Sequence, residues 1–222
     1  MSLGDIQHID GPDAFREAFR VSRETLEKLV AYERLLKQWQ KTINLVAEST
    51  LSDVWHRHFA DSAQLMRHVP MGAGTWVDLG SGAGFPGLVL AIMNGEKGSA
   101  NRCVLIESDS RKAAFLREAS RAAATPVDIL CTRIESNETH AKVSSVCCVT
   151  ARALAPMSRL AGLVAPYISA GATGLFLKGR EAAAELDEAR RTWDMSYELR
   201  PSLTDVRGRV LLLKALKVKT EG

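Results

Sequence analysis

The chain has 222 residues, 46% of them hydrophobic, and 29 Lys and Arg stand against 26 Asp and Glu for a formal net charge of +3. That length holds one large domain or a modest domain with an appendage, since domains usually run to roughly 100–200 residues, and the composition excludes a disordered tail, a collagen-like repeat and a coiled-coil rod. So mild a charge argues against a partner held by a uniformly positive surface, but it can hide a local basic rim: residues 1–70 carry 9 basic and 10 acidic side chains, residues 71–222 carry 20 and 16.

From Asp13 to about Arg67 the pattern is helical. Leu26, Leu29, Val30, Leu36, Trp39 and Ile43 recur at steps of three and four, with Ser22 placed to cap. After the short apolar connector Asn44-Leu45-Val46-Ala47, Thr50 and Asp53 resemble a capping box with Asp in place of Glu, and Leu51, Val54, Trp55, Phe59, Leu65 and Met66 follow at helical spacing. Beyond Gly72 and Gly74 the period changes. The β-prone runs Thr75–Leu79, Cys103–Ile106, Val127–Cys131, Val146–Thr150 and Leu175–Leu177 alternate with helical patterns near Pro86–Met93, Arg111–Ala123, Met157–Ile168 and Glu181–Arg191. Tyr197–Leu203 and Val210–Leu216 add two strands, joined by the basic turn Asp205–Arg209. The alternation predicts an α/β fold, a doubly wound, mostly parallel sheet with helices on both faces. A helical N-terminal extension over residues 1–72 precedes a sheet domain over residues 73–222.

Cys103, Cys131, Cys147 and Cys148 lie in apolar, β-prone runs rather than at C-x-x-C spacing, so no zinc or other metal site is expected. With no apolar stretch after Met1, the reading is a reduced, cytoplasmic protein. The longest apolar run, Leu88 to Met93, is far too short to span a bilayer, and no membrane partner is expected.

The segment Val77-Asp78-Leu79-Gly80-Ser81-Gly82-Ala83-Gly84-Phe85-Pro86-Gly87 closes the first predicted strand and opens a helix, where open α/β sheets bind ligands. Gly80, Gly82, Gly84 and Gly87 are more than a plain turn requires, and they let backbone approach a ligand. Gly82 to Gly87 formally matches the dinucleotide pattern G-x-G-x-x-G, and Glu107 lies where a ribose-binding acid should, so an NAD(P)-dependent oxidoreductase is one reading. Asp78 argues for another: a carboxylate beside the turn suits the sulfonium and amine of S-adenosylmethionine better than a pyrophosphate. Glu107, at the end of the second strand, can accept from both ribose hydroxyls of either cofactor. Arg133-Ile134-Glu135 is placed to flank an adenine.

Together with Asn44–Ala47, Arg57-His58-Phe59-Ala60-Asp61-Ser62, Ser110-Arg111-Lys112, Ile134-Glu135, Ala151-Arg152-Ala153 and Lys178-Gly179, this turn resembles the bacterial small-subunit ribosomal RNA guanine-N7 methyltransferases, the glucose-inhibited division protein B family. The resemblance runs in order through residues 44–179. It implies a Rossmann-like class I methyltransferase fold with a seven-stranded sheet and a helical N-terminal extension, S-adenosylmethionine as methyl donor, and N7 of one guanine in the decoding-region loop of 16S ribosomal RNA as acceptor. Cofactor contacts carried over by motif fall on Gly80, Phe85, Ile134, Glu135 and Arg152. The segments before Asn44 and after Arg180 carry no matching motif.

Guanine N7 is already nucleophilic, so this chemistry needs alignment of the reactants rather than a strong base, and the base must be unstacked or splayed in a loop. Asn44, His58 and Asp61 are candidates to line the cleft against the carboxyl edge of the sheet; the other reading of them is a buried hydrogen-bond network. Arg152, just past the fourth strand, could present its fork of donors to cofactor or guanine, or else pair with Glu135. Arg111, Lys112, Arg159, Lys178, Arg180, Arg207 and Arg209 are candidate phosphate contacts, while His56 and His68 are read as surface residues. The RNA could be naked or within a small-subunit particle, the enzyme is expected to be a monomer, and a non-catalytic RNA-binding module is a third reading.

Overall fold

The computed structural model describes residues 8–96 and 101–219; of the two expected regions, positions 1–7, 97–100 and 220–222 lie outside them. The helical pattern begins with α1 (Pro12–Phe19) and α2 (Arg23–Trp39), separated at Arg20, which takes a left-handed conformation. Ser22 caps α2 as its position suggested, its hydroxyl accepting from the Thr25 amide at 3.1 Å. The segment around residues 50–67 is not the single α-helix that its spacing predicts. It runs through a 3-10 turn (Glu48–Thr50), a π-helical stretch (Trp55–Ala60), a turn of α-helix, α3 (Asp61–Ala63), and a 3-10 turn (Gln64–Arg67). Thr50 does not cap it. Its hydroxyl bonds the Ala47 carbonyl at 2.7 Å and lies 2.8 Å from His58 Nε2, while Asp53 pairs with His8 at 3.1 Å.

Seven strands follow: β1 (Thr75–Leu79), β2 (Arg102–Ile106), β3 (Asp128–Leu130), β4 (Val146–Arg152), β5 (Thr173–Lys178), β6 (Trp193–Pro201) and β7 (Arg209–Val218). Between them lie α4 (Gly87–Gly95), α5 (Ser110–Ala122), α6 (Asn137–Lys142), α7 (Met157–Ser169) and α8 (Ala182–Ala189). The strand order is β3-β2-β1-β4-β5-β7-β6; β1 to β5 are parallel, and β7 runs antiparallel between β5 and β6. α6 has no apolar stripe to announce it. It is six residues long and begins where the Ser136 side chain accepts from the Thr139 amide.

All five residues of β1 are buried because helices cover both faces of the sheet. On one face α2, α4 and α5 share an apolar cluster in which Phe15, Leu29, Tyr32 and Leu36 from the N-terminal helices pack with Phe85, Leu88, Phe115 and Leu116. On the other face Leu160, Val164 and Ile168 of α7 and Leu186 of α8 pack against Val77, Val104, Val149 and Leu213. The expected N-terminal extension therefore packs on α4 and α5 and thickens the helical layer on one face of the sheet. It also brings the segment around Arg57 to Asp61 to the carboxyl edge of β4 and β5.

Candidate active site

The glycine turn is built by its own backbone. Ser81 donates its amide to the Ile106 carbonyl at 3.0 Å and Gly84 to the Ser81 carbonyl at 2.7 Å. Gly82 donates to Glu107 Oε2 at 2.8 Å, while the Asp109 amide donates to Oε1 at 2.8 Å. Both carboxylate oxygens of Glu107 are thus fixed, each with acceptor capacity left over, at the end of β2. Gly80 sits at φ +63°, a left-handed conformation that favours glycine, and the Leu154 side chain covers it, with Cδ1 2.6 Å from where a Cβ would stand. Gly80, Gly82, Glu107, Lys112, Ile134 and Glu135 line a cleft of about 270 Å³, which Arg152 to Ala155 close on the β4 side.

Three residues expected in this cleft lie elsewhere. Asp78 is buried, 2% exposed, beneath the start of α4 rather than beside the cleft. Its Oδ1 accepts from the Thr150 hydroxyl at 2.6 Å, its Oδ2 has no hydrogen-bond partner among the described residues, and a Cβ on Gly87 would lie 2.5 Å from its own Cβ. Burial pushes its carboxyl up to about 6, against the pull of Thr150, Ser81 and the Gly87 amide. The charge argument that favoured a sulfonium at Asp78 therefore has no geometric footing, because strand alternation turns this side chain under α4. Gly84 and Phe85 also face inward. Gly84 abuts the Tyr32 hydroxyl and Leu88, and Phe85, 4% exposed, packs on Tyr32, Phe59 and His58.

Arg152 carries the site from this cleft into a second one. Its guanidinium lies 5.0 Å from the centroid of Phe85. Its Nη1 donates to the Arg57 carbonyl at 3.2 Å and stands 3.6 Å from Asp61 Oδ2. The alternative pairing with Glu135 is not made, since Glu135 faces Arg159 at 3.9 Å. The second cleft, about 190 Å³, is walled by Arg57, Asp61, Arg152, Ala153 and residues of the loop between β6 and β7. Asp61 Oδ1 accepts from the Thr204 hydroxyl and from Gln64 Nε2, both at 2.8 Å. Burial raises the Asp61 carboxyl above its usual range, opposed mainly by Arg152.

His58 is buried at 8% exposure, with its ring stacked on Phe85 at 5.0 Å and Nδ1 without a partner among the described residues. Burial, then Arg152 and Arg57, hold its pKa down to about 3. It lines neither cleft. Asn44 is exposed and also outside both clefts; its carbonyl oxygen is 3.5 Å from Gln40 Nε2. Of the candidate phosphate contacts, Lys112 and Arg159 line the first cleft and Lys178 and Arg209 the second. Lys178 is no surface cation: its side chain is 8% exposed, paired with Glu185 at 2.5 Å and donating to the Ala155 carbonyl at 3.0 Å. Arg111, Arg180 and Arg207 are exposed and line neither cleft.

His56 corrects another expectation. It is buried, receiving the Ile9 amide on Nδ1 at 3.2 Å and meeting the Thr204 carbonyl with Nε2 at 2.9 Å. His68 is half-buried. Thr204 reaches Asp61 only through the fold and carries no signal in the sequence; Gln64 is a near neighbour of Asp61 whose contact was not anticipated, Asp205 was visible only as part of a basic turn, and Arg57 only as part of its motif.

Strand order and turn argue against a dinucleotide site. The dinucleotide-binding sheet orders its strands 3-2-1-4-5-6, whereas here antiparallel β7 is inserted beside β5. A pyrophosphate would need free amides at the turn, yet those of Ser81, Gly82 and Gly84 are already donated within the protein and Asp78 lies under the start of α4. Among the described residues, no helix is long and apolar enough to cross a membrane.

Comparison with known proteins agrees. The chain is similar to the cofactor-bound protein Rv0187 from MTB, with a TM-score of 0.56 and 13% identity over 94% of this chain and 99% of that one. It is also similar to a mutant of MtNAS in complex with S-adenosylmethionine, with a TM-score of 0.53 and 13% identity over 94% and 85% of the two chains; at such identity the likeness concerns the fold alone. Sequence relatives are much nearer. The ribosomal RNA small subunit methyltransferase G of Rhodospirillum centenum is 52% identical over 91% of this chain and 89% of its own length, and that of Parvibaculum lavamentivorans is 45% identical over 96% and 92%. The family described as rRNA small subunit methyltransferase G matches residues 25–211. With that match and those identities, the oxidoreductase reading is set aside: the chain belongs to the family of rRNA small subunit methyltransferase G.

Proposed function

We propose that this protein transfers a methyl group from S-adenosylmethionine to N7 of one guanine in the decoding-region loop of 16S ribosomal RNA, acting as a cytoplasmic monomer. The observation that carries the reading is the junction of two clefts at Arg152, one built around the pinned carboxylate of Glu107 and the other walled by charged side chains. Transfer between two molecules requires two sites that meet, and these meet at Arg152 and Ala153, at the end of β4.

The first cleft fits the methyl donor. Glu107 keeps acceptor capacity on both oxygens for vicinal ribose hydroxyls, Ile134 supplies an apolar wall for adenine beside Glu135, and Gly80 brings bare backbone to the wall of the cleft. When bound, S-adenosylmethionine supplies an electrophilic methyl group. Nothing in the protein has to remove a proton from N7, whose lone pair lies in the ring plane. His58 suits that requirement: with its pKa near 3 it stays neutral at physiological pH and acts by packing on Phe85, which in turn supports the Arg152 guanidinium. Holding the nucleophile within about 3–3.5 Å of the methyl carbon supplies most of the acceleration. Lys112, Arg159, Arg57 and Arg209, at the rims of the two clefts, are the phosphate contacts in this reading.

The test is direct. Small-subunit particles and naked 16S RNA from a strain lacking the modification are incubated with labelled S-adenosylmethionine and the protein, and the labelled base is mapped. A label on one guanine N7 in the decoding-region loop is the expected result. Binding without transfer would leave a non-catalytic RNA module instead.

A further inference from the structure

The cleft beyond Arg152 has a chemistry that points to one base. Asp61 is held in a fixed orientation at its mouth, because Thr204 and Gln64 both donate to Oδ1. Among the described residues Oδ2 meets Arg152 Nη1, at 3.6 Å, long for a hydrogen bond. That oxygen is a built acceptor with capacity to spare. Arg57, whose Nη1 lies 3.4 Å from Asp205 Oδ2, and Arg152 supply donors around it, and Ala153 and Leu177 supply apolar surface.

Guanine is the base whose Watson–Crick edge offers two adjacent donors, N1–H and the N2 amino group, to a carboxylate; adenine presents a bare acceptor at N1. Around the guanine ring O6 lies between that edge and N7. The protein repeats the same order: Arg152 lies between Asp61 and the cleft that Glu107 anchors. A base whose N1 and N2 face Asp61 can therefore give O6 to the Arg152 fork and turn N7 toward the first cleft. We infer that the cleft walled by Arg57, Asp61, Arg152 and Thr204 is the acceptor pocket for the target base, and that the Asp61 carboxylate selects guanine by its N1–H and N2 amino donors. This rests on the methyltransfer reading above and adds to it the residue that chooses the base.

The experiment uses the full chain and small-subunit RNA ligated to carry guanosine or inosine at the position labelled in the mapping assay, presented naked or reassembled into the particle, whichever form that assay labels. Inosine keeps N1–H, O6 and N7 but lacks the N2 amino group. The wild-type protein is expected to prefer guanosine by about tenfold or more in kcat/KM, the effect of one lost charge-assisted hydrogen bond. Asp61→Asn is expected to bring that ratio close to one while lowering both rates. Thr204→Val, which removes only the hydroxyl that orients the carboxylate, should lower the ratio part of the way and serves if Asp61→Asn does not fold. A purely structural Asp61 would depress both substrates equally. An unchanged ratio in whichever variant folds, or no preference in the wild-type protein, overturns the pocket; absence of wild-type methylation on guanosine RNA overturns the methyltransfer reading itself.

Discussion

The hydroxyl of Tyr32, in the middle of α2, donates to the carbonyl of Ala83 in the glycine turn, 51 residues further along the chain. The ring is fully buried, stacked on Phe85 with centroids 5.3 Å apart and edge-on to Phe59 at 5.2 Å. A residue of the N-terminal helices thus fixes the turn that shapes the first cleft. Tyr32→Phe keeps the ring and strips the donor from a buried carbonyl. It should cost about 1–3 kcal/mol of stability in urea unfolding and weaken S-adenosylmethionine binding by calorimetry. Unchanged affinity would sever the link between this helix and the turn.

Glu107 makes a sharper prediction for the cofactor. Glu107→Gln puts an NH2 group against either the Gly82 or the Asp109 amide, donor facing donor, and removes one acceptor from the cleft. Affinity for S-adenosylmethionine should fall by about 10–100-fold, as expected when a charge-assisted acceptor is lost. Titration calorimetry reads it.

Two buried groups should give opposite pH trends. The fold raises Asp78 from 3.8 to about 6, so its protonated form is favoured; the associated stability is full below about pH 4 and is lost as pH rises through 6. The fold lowers His58 from 6.5 to about 3, so its neutral form is favoured; that stability is full above about pH 6.5 and is lost as pH falls toward 3. Relative to the wild-type protein, Asp78→Asn should gain up to roughly 3 kcal/mol between about pH 4 and 7. His58→Gln should gain in the other direction. Urea unfolding at several pH values measures both, and parallel curves for variant and wild type would contradict them.

Arg152→Lys keeps the charge and loses the fork. A lysine cannot at once reach the Arg57 carbonyl, face Asp61 and lie flat over Phe85. Methyl transfer should drop about 100-fold or more, given what misalignment of a reacting pair costs, with a small change in melting temperature. Single-turnover kinetics with saturating cofactor separates this from weaker cofactor binding.

What was legible in the sequence was local. Gly80, Gly82 and Glu107 are separated by few elements, and the strand–turn–helix spacing that places them survives into the structure because it depends on neighbouring backbone. Asp78 was misplaced since the alternation of β1 decides which face a side chain takes, and the covering helix decides what that face meets. The π-helical stretch explains why a capping box at Thr50 failed: the segment rewinds at Trp55, and Thr50 turns its hydroxyl to His58. Asp61 and Thr204 stand 143 positions apart, so no periodicity could announce their contact.

The His56 imidazole, joined to the Ile9 amide and to the Thr204 carbonyl 148 positions away, has a consequence for the order of assembly. The turn and Glu107 lie in the first half of the chain and can form as soon as β1, β2 and α4 pair. The wall that carries Thr204 and Asp205 comes only with the loop between β6 and β7, which is synthesised after every strand of the parallel part of the sheet. During synthesis the glycine turn and its Glu107 anchor are therefore in place before the second cleft has the Thr204 wall that orients Asp61.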